Sequence, residues 1–165
     1  MTGTLYTADH RMFQLPPLLS WRVTHTGSVP CDSFSVSFVY QKEMAEVLRL
    51  AAGFAAEEGG TVMLRAVVDE YTVDLDGNGL TATVSGRGCA ARLLDNESRP
   101  VTYQQATLEE ILRNHAEPYG LTCKGAPGIR AGAEYTVAAG SSQWKAVEGF
   151  CRACGGFSPR FSRGG

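Results

Sequence analysis

The 165-residue sequence lacks several features that mark common functional classes. It has no apolar run near the roughly 20 residues that cross a bilayer, and it has no basic start followed by an apolar stretch. It therefore predicts neither a membrane-spanning segment nor a secretory leader, and we expect synthesis and retention in the cytoplasm. It also lacks a basic excess, because the formal net charge is -2 and the pI is about 5.9. This balance argues against a nucleic-acid partner.

The cysteines lack the spacing of a disulfide framework or a zinc site. Cys151 and Cys154 form a single CxxC, with no second CxxC and no closely spaced His pair to complete four zinc ligands, although Cys123 and His115 lie in the same half. A redox CxxC sits at a helix start, whereas this pair falls in the last turns of a predicted helix, on its apolar stripe. We expect core thiols, and free thiols at all five positions: Cys31, Cys89, Cys123, Cys151 and Cys154.

A catalytic signature is also missing. The three histidines, His10, His25 and His115, are far apart, and none has a neighbouring Ser or Cys that suggests a triad. We interpret His25 and His115 as structural or partly solvated. The sequence thus predicts no enzyme and no catalytic or cofactor-binding residue.

Two short patterns resemble ligand loops but lack their key residues. The acidic group Asp69, Glu70, Asp74 and Asp76 resembles part of a calcium loop, yet the twelfth position counted from Asp74 is Ser85 instead of Glu. Residues 85–88 (SGRG) lack the spacing and the Lys of a phosphate loop. Turn and strand-end chemistry explains both patterns, so no metal site is predicted.

A long hairpin pattern dominates what the sequence does contain. In residues 61–73 apolar side chains recur at every second position, which puts them on one strand face. Residues 74–79 (DLDGNG) hold the Asp-Gly and Asn-Gly pairs typical of tight turns. Residues 80–85 then alternate again, so each limb has one apolar face to bury. The two apolar sets are Val62, Leu64, Ala66, Val68 and Leu80, Ala82, Val84.

The segments before the hairpin predict an arm, two strands and a helix. Residues 1–17 show no clear period and end in two prolines, which favours an extended arm. Residues 18–26 and 32–41 alternate and should pair, with a turn at 27–30. Residues 42–58 have apolar spacings of three and four, which predict an amphipathic helix that ends at Gly59 and Gly60.

The segments after the hairpin predict a smaller α/β part. A polar stretch at residues 95–100 marks a boundary. Thr107 and Glu110 form a capping box for a helix stopped by Pro118, and Ser141 or Ser142 caps a second helix. Between them, residues 119–124 and 134–138 are predicted as strands. The predicted domains are residues 1–17 (arm), 18–100 (mainly antiparallel β with one packed helix), 101–156 (helix, strand, strand, helix) and 157–165 (flexible tail).

The order of several short motifs resembles a known family. VDEY, SGRG, LLDNE, TLEEIL and PYG occur in that order. The resembling segments are residues 29–40, 67–97, 106–123 and 141–156, which together cover most of the chain from residue 18 on. In this respect the sequence resembles the baseplate or tail hub proteins of bacteriophages and prophages, the group that includes late-control proteins and the tail hubs of Gram-positive prophages.

The resemblance implies a structural role without a reaction. It implies an antiparallel β-barrel-like domain at residues 18–95, a small α/β part at 101–156, and a homotrimer that mimics a sixfold ring and joins the tail tube to the spike or tip. It also implies assembly in the host cytoplasm and a final place in the virion tail. Family members usually continue beyond this length, so the chain looks like an N-terminal fragment or a minimal version.

Two other function classes stay open. One is a small ligand-binding module for cell-wall saccharide, in which Trp21 with Tyr71 or Tyr103 would form a stacking platform. The other is a metal- or redox-active domain built on Cys151 and Cys154.

Overall fold

The computed structural model of the protein describes residues 1–26, 30–77, 79–123 and 128–162. The chain forms two compact units, Met1–Cys89 with Ser162, and Ala90–Phe161. Strands predominate and all their pairings are antiparallel, with a smaller α/β part, so the predicted fold class is confirmed. The predicted folding-domain boundaries at residues 17, 100 and 156 stay predictions.

The first unit is a seven-stranded sheet with one helix. The sheet order is β2-β1-β5-β6-β7-β4-β3. The elements are β1 (Thr2–Thr7), β2 (Met12–Gln14), β3 (Leu18–Thr24), β4 (Ser33–Val39), α1 (Ala45–Leu50), β5 (Ala51–Glu58), β6 (Thr61–Asp76) and β7 (Gly79–Gly88), with a single 3-10 turn at Lys42–Met44.

The sheet curls around an apolar inner face. Phe34 of β4 and Phe54 of β5 stack with ring centroids 4.3 Å apart, although β6 and β7 lie between their strands in the sheet. In a flat sheet those strands would be about 14 Å apart. Met44 and Leu48, from the 3-10 turn and α1, complete the core under this curve. The first unit is therefore barrel-like in curvature, with one packed helix.

The predicted strand pair and hairpin are confirmed. β3 pairs with β4, and β4 buries Phe34, Val36 and Phe38 as its alternation predicts. β6 and β7 pair from Ala66 opposite Gly88 to Asp76 opposite Gly79, so the return limb runs three residues beyond the predicted end. The predicted turns at 27–30 and 74–79 lie partly outside the described residues.

The predicted N-terminal arm is instead part of the sheet. β1 pairs with β2 on one side and with β5 on the other, which makes it an internal strand. Its inward positions are Gly3, Leu5 and Thr7, all buried. Only one of these three is a large apolar residue, so the strand has the period of two without the usual hydrophobic signal.

The single helix predicted over residues 42–58 is wrong beyond residue 50. Helix α1 ends at Leu50, and residues 51–58 form strand β5 between β1 and β6. The small side chains of this segment suit either structure, and pairing on both edges outweighs a weak helical preference. Gly59 and Gly60 do not cap a helix; they form the β5–β6 turn with φ of 56° and 78°.

Gly86 sits at a bulge that the hairpin needs. The β6–β7 register shifts between Val68 and Glu70, which leaves Asp69 as the extra residue. A Cβ built on Gly86 would lie 2.0 Å from the Val67 carbonyl oxygen and 2.9 Å from Cε1 of Phe34. Glycine is thus required here for close approach of backbone and ring.

The described residues of the second unit form three helices and a two-stranded sheet. Its elements are α2 (Ala91–Leu94), β8 (Val101–Gln104), α3 (Leu108–His115), β9 (Glu134–Val137) and α4 (Gln143–Phe150), with a 3-10 turn at Glu117–Tyr119 and a π turn at Cys151–Gly155. Both predicted N-caps are confirmed, because the side chains of Thr107 and Ser142 accept hydrogen bonds from the Glu110 and Lys145 amides, each at 3.2 Å.

One of the two predicted strands of this unit lies elsewhere. β9 matches the prediction for residues 134–138, but its partner is β8, which precedes α3. The order is strand, helix, strand, helix. In the predicted strand 119–124, Gly120 has φ of 76° and residues 121–123 have no regular structure, while Lys124 lies outside the described residues.

Helix α4 packs directly on β9 through a glycine. The hydroxyl of Tyr135 donates to the Ala146 carbonyl at 2.6 Å, and a Cβ on Gly149 would lie 2.8 Å from that hydroxyl oxygen. Burial is the main cause that raises the pKa of Tyr135, so the phenol stays a hydrogen-bond donor across the ordinary pH range.

We predict a strong coupling between these two positions. Gly149→Ala should cost about 2 kcal/mol in unfolding free energy, and Tyr135→Phe about 1 kcal/mol. In the Tyr135→Phe background, Gly149→Ala should cost almost nothing, since the obstructing oxygen is gone and alanine favours helix. A double-mutant cycle by denaturant unfolding measures the coupling; additive effects would contradict the contact.

Candidate functional site

The CxxC pair lies where a core thiol is expected. Cys151 is buried in the second core beside Val147 and Phe150, and Cys154 is half-buried in the π turn that follows α4. Burial, more than the nearby thiols and Glu148, raises the pKa of Cys151 from 9.0 to about 11. A redox or metal thiolate needs the opposite shift. In the part of the chain that the structure describes, no three His, Cys, Asp or Glu side chains form a metal-binding group.

This shift predicts slow chemistry at Cys151. At pH 8 it lowers the thiolate fraction roughly a hundredfold below that of an ordinary thiol, so iodoacetamide should label exposed Cys123 first and Cys151 only on unfolding. The pKa of Cys151 is higher in the folded protein than in the unfolded chain. The protonated thiol therefore contributes fully to the free energy of unfolding below pH 9, and this contribution is lost as the pH rises to 11. Mass spectrometry of timed samples checks the order; early labelling of Cys151 would refute it.

His115 is the centre of a buried polar network. It is 4% exposed, and its Nδ1 lies 2.7 Å from Oε1 of Gln143 and its Nε2 lies 3.0 Å from the hydroxyl of Tyr103. The Gln143 amide nitrogen donates to the Glu97 carbonyl and to the Tyr119 hydroxyl, so its oxygen faces the ring and Nδ1 carries the hydrogen. The network joins the end of α3 to the start of α4.

The other two histidines have structural roles too. Nδ1 of His25 lies 2.7 Å from Oδ2 of Asp32, and the other oxygen of Asp32 accepts from the Thr26 amide. His10 has φ of 64° in the turn between β1 and β2.

Asp69, Glu70 and the SGRG segment take part in contacts within the sheet. Both oxygens of Asp69 accept from the Arg87 guanidinium, at 2.7 and 2.9 Å, and Glu70 accepts from the Ser85 hydroxyl at 3.2 Å. Residues 85–88 lie within β7 and pair with β6 and β4. The side chain of Asp76 lies outside the described residues.

The proposed aromatic platform is only partly assembled. Trp21 is 52% exposed and lies on the same face of the sheet as Tyr71. Val36 and Val84 occupy the two positions between them on the intervening strands. Three strand spacings along the curved sheet separate the two rings. Tyr103 is partly buried against the second core, and its hydroxyl bonds His115 and Asn114.

The far half of the hairpin has an uncovered apolar face. Tyr71, Val73 and Leu75 lie opposite Val84, Ala82 and Leu80. Ala82 and Val84 are fully buried, whereas Leu75 is 76% exposed. These residues continue the inner face of the sheet beyond the core. We name the exposed ones, Tyr71, Val73, Leu75 and Leu80, the exposed apolar row. Such a patch on a polar surface marks a place of interaction.

The same half of the hairpin has a free backbone edge. β5 pairs with β6 only as far as Val67, and none of the described strands pairs with residues 69–76 on that side. β3, at the end of the sheet, likewise pairs on one side only among the described residues. We name these the β6 edge (residues 69–76) and the β3 edge (Leu18–Thr24). Unpaired edges of this length are templates for another strand.

The sequence alone did not reveal these edges. Alternation shows that one face of a strand is apolar, but it does not show whether the core or a partner protein covers that face. The β6 edge is unpaired because the pairing with β5 stops at Val67, which the sequence of β6 does not indicate. No helix among the described residues has both the length and the apolar character to span a bilayer.

Comparison with known proteins gives a likeness in fold. No family model matches the sequence, and no curated protein matches it. Among solved structures, the tail protein from Neisseria meningitidis MC58 is similar with a TM-score of 0.72 and 13% identity, over 98% of this chain and 48% of that one. The 43 kDa tail protein of prophage MuSo2 from Shewanella oneidensis has a TM-score of 0.66 and 15% identity, over 93% and 49%. The chain therefore shares its fold with two tail proteins and spans about half the length of each.

Proposed function

We propose that this chain is a structural component of a phage or prophage tail, with no reaction of its own. The observation that carries the proposal is the likeness in fold to two tail proteins over nearly the whole chain. The exposed apolar row and the two free strand edges support it, because an assembly protein needs surfaces that remain uncovered in the isolated chain. The buried, protonated Cys151 supports a structural role for the thiols as well.

Within the tail, we assign the chain to the baseplate hub. The order of sequence motifs resembles hub proteins, and a curved antiparallel sheet is suited to joining other curved sheets around a central axis. In this role it would connect the tail tube to the spike or tip as a homotrimer, after assembly in the host cytoplasm.

Deletion of the gene from the phage or prophage that carries it tests the tail role. We expect heads without complete tails, restoration by the wild-type gene in trans, and a fixed copy number of the protein in purified tails by quantitative mass spectrometry. Tails of normal abundance and composition after deletion would refute the proposal. Light scattering behind a sizing column tests the trimer separately, with an expected mass about three times 17.7 kDa.

A saccharide-binding module is a second candidate, favoured only by the exposure of Trp21 and Tyr71 on one face. It predicts that cell-wall fragments bind the monomer and that Trp21→Ala lowers their affinity at least tenfold, as loss of a stacking ring should. Binding that is unchanged in Trp21→Ala, or absent in the wild type, would exclude this platform.

A further inference from the structure

We propose that copies of this chain join edge to edge, with the β3 edge of one copy pairing with the β6 edge of the next. The inference rests on the proposed tail role for its biological purpose. It deepens that role by naming the surfaces, the backbone groups and the charges through which a second copy binds.

The far half of the sheet is a four-stranded ribbon with both edges free. Beyond the end of β5, the order is β6, β7, β4, β3, and β7 pairs with β4 as far as Thr81 opposite Val39. The β6 edge has eight residues and the β3 edge has seven. These similar lengths allow one edge to be matched along most of the other.

The backbone of the β6 edge is oriented for pairing. The Tyr40 amide donates to the Leu80 carbonyl at 2.9 Å, on the β4 side of β7. In an antiparallel ladder the amide and carbonyl of one residue point the same way, so those of Leu75, which lies opposite Leu80, point away from β7. The same holds for every second residue, Val73 and Tyr71. Three residues thus direct their hydrogen-bonding groups to the open side.

The side chains of the two edges match on both faces. On the inner face, the β3 edge carries Trp21 and Val23, and the β6 edge carries the exposed apolar row. On the outer face, the β3 edge carries Arg22, whereas the β6 edge carries Asp74 and Glu70. Residues 71–85 contain two aspartates and no Lys or Arg. Added to β6 in register, β3 would bring its cation next to these carboxylates.

Like edges would not pair well with each other. Two β6 edges would place Glu70 and Asp74 beside the same carboxylates of the second copy, and two β3 edges would place Arg22 beside Arg22. Like charges on neighbouring strands destabilise pairing. Since the favourable contact joins two different edges, it is heterologous, and repetition yields a ring if the rotation closes. A twofold dimer through either edge is therefore disfavoured relative to the heterologous contact.

Charge reversal and its rescue test the proposal on the full chain. Light scattering across a concentration series should show self-association of the wild type. Arg22→Glu and Asp74→Lys should each raise the dissociation constant about tenfold, and the double variant Arg22→Glu/Asp74→Lys should return to within about threefold of wild type. Arg65→Glu is the matched control, because Arg65 is exposed on the part of β6 that β5 covers, and it should leave association unchanged.

Hydrogen exchange supplies a second readout that does not depend on variants. The amides of Tyr71, Val73 and Leu75 should gain protection as the concentration rises, while those of Thr72 and Asp74, which point to β7, are protected throughout. A monomer at every concentration, an effect of Arg65→Glu equal to that of Arg22→Glu, or no rescue in a folded double variant would each overturn the proposal.

The two proposals can fail separately. Tail formation after gene deletion is measured in the phage or prophage, and edge pairing is measured on the purified protein. Charge-dependent association with normal tails after deletion would refute only the tail role. Defective tails after deletion, together with association that ignores Arg22 and Asp74, would refute only the edge pairing.

Discussion

Gly86→Ala should destabilise the first unit by more than about 3 kcal/mol in unfolding free energy. The added methyl would need the space 2.0 Å from the Val67 carbonyl oxygen and 3.0 Å from the Asp69 amide nitrogen. Both are backbone atoms of the bulge, so rotation of a side chain cannot relieve the overlap. The β6–β7 pair would have to separate or change register, and a shift by one residue exchanges the buried and exposed faces.

The two tryptophans allow this loss to be assigned to one unit. Trp21 lies in the first unit and Trp144 in the second, so a Trp144→Phe background reports unfolding of the first unit by fluorescence. The control is Gly77→Ala in the same unit, where a Cβ would meet nothing within 4 Å, and it should change stability by less than about 0.5 kcal/mol. A Gly86→Ala protein with wild-type stability would contradict the bulge.

His115→Ala should cost the second unit about 3 kcal/mol. The change removes the ring that bonds Gln143 at 2.7 Å and Tyr103 at 3.0 Å. It leaves the buried side-chain oxygen of Gln143 without the hydrogen bond from the His115 ring, and it opens a cavity. The cost of burying an unpaired oxygen therefore adds to the loss of packing. Because the network links α3 to α4, we expect both helices to lose amide protection together.

A graded set of variants separates the network from simple loss of volume. In a Trp21→Phe background, Trp144 reports on the second unit. Tyr103→Phe removes one hydroxyl and should cost about 1 kcal/mol, and Asn114→Ala removes only an exposed bond to that hydroxyl and should cost less. Equal costs for His115→Ala and Asn114→Ala would show that the buried network contributes little.

Local signals identified the elements whose own residues determine them. The alternation of Phe34, Val36 and Phe38 predicted β4, the turn residues predicted the β6–β7 hairpin, and Thr107 and Ser142 predicted the starts of α3 and α4. In each case the determining contact lies within a few residues or on one regular face. Such signals do not require knowledge of the neighbours.

The failures were elements that distant neighbours determine. β1 presents Gly3 and Thr7 inward because Phe54 and Leu15 fill the space beside Gly3, so no apolar pattern marks it. β5 became a strand because both of its edges are paired. The unpaired strand edges could not be predicted from the sequence either. The length of β6 that lacks a partner depends on where its pairing with β5 stops, which is at Gly53 opposite Val67. Local spacing contains no information about where another strand stops.

The antiparallel partners of the first unit also determine when it can be completed on the ribosome. β1 emerges from the ribosome before the other strands, but it pairs with β5, with Thr2 opposite Glu57. In the same way β4 emerges before its partner β7, with Ser33 opposite Arg87. At about 5–20 residues per second, each early strand would wait several seconds for its partner. During that interval Leu5 and the three apolar residues of β4 are accessible to chaperones. A nascent chain that has emerged from the ribosome only to a point before Gly79 should therefore remain chaperone-bound. One that has emerged past Cys89, so that all of β7 is outside the ribosome, should be released.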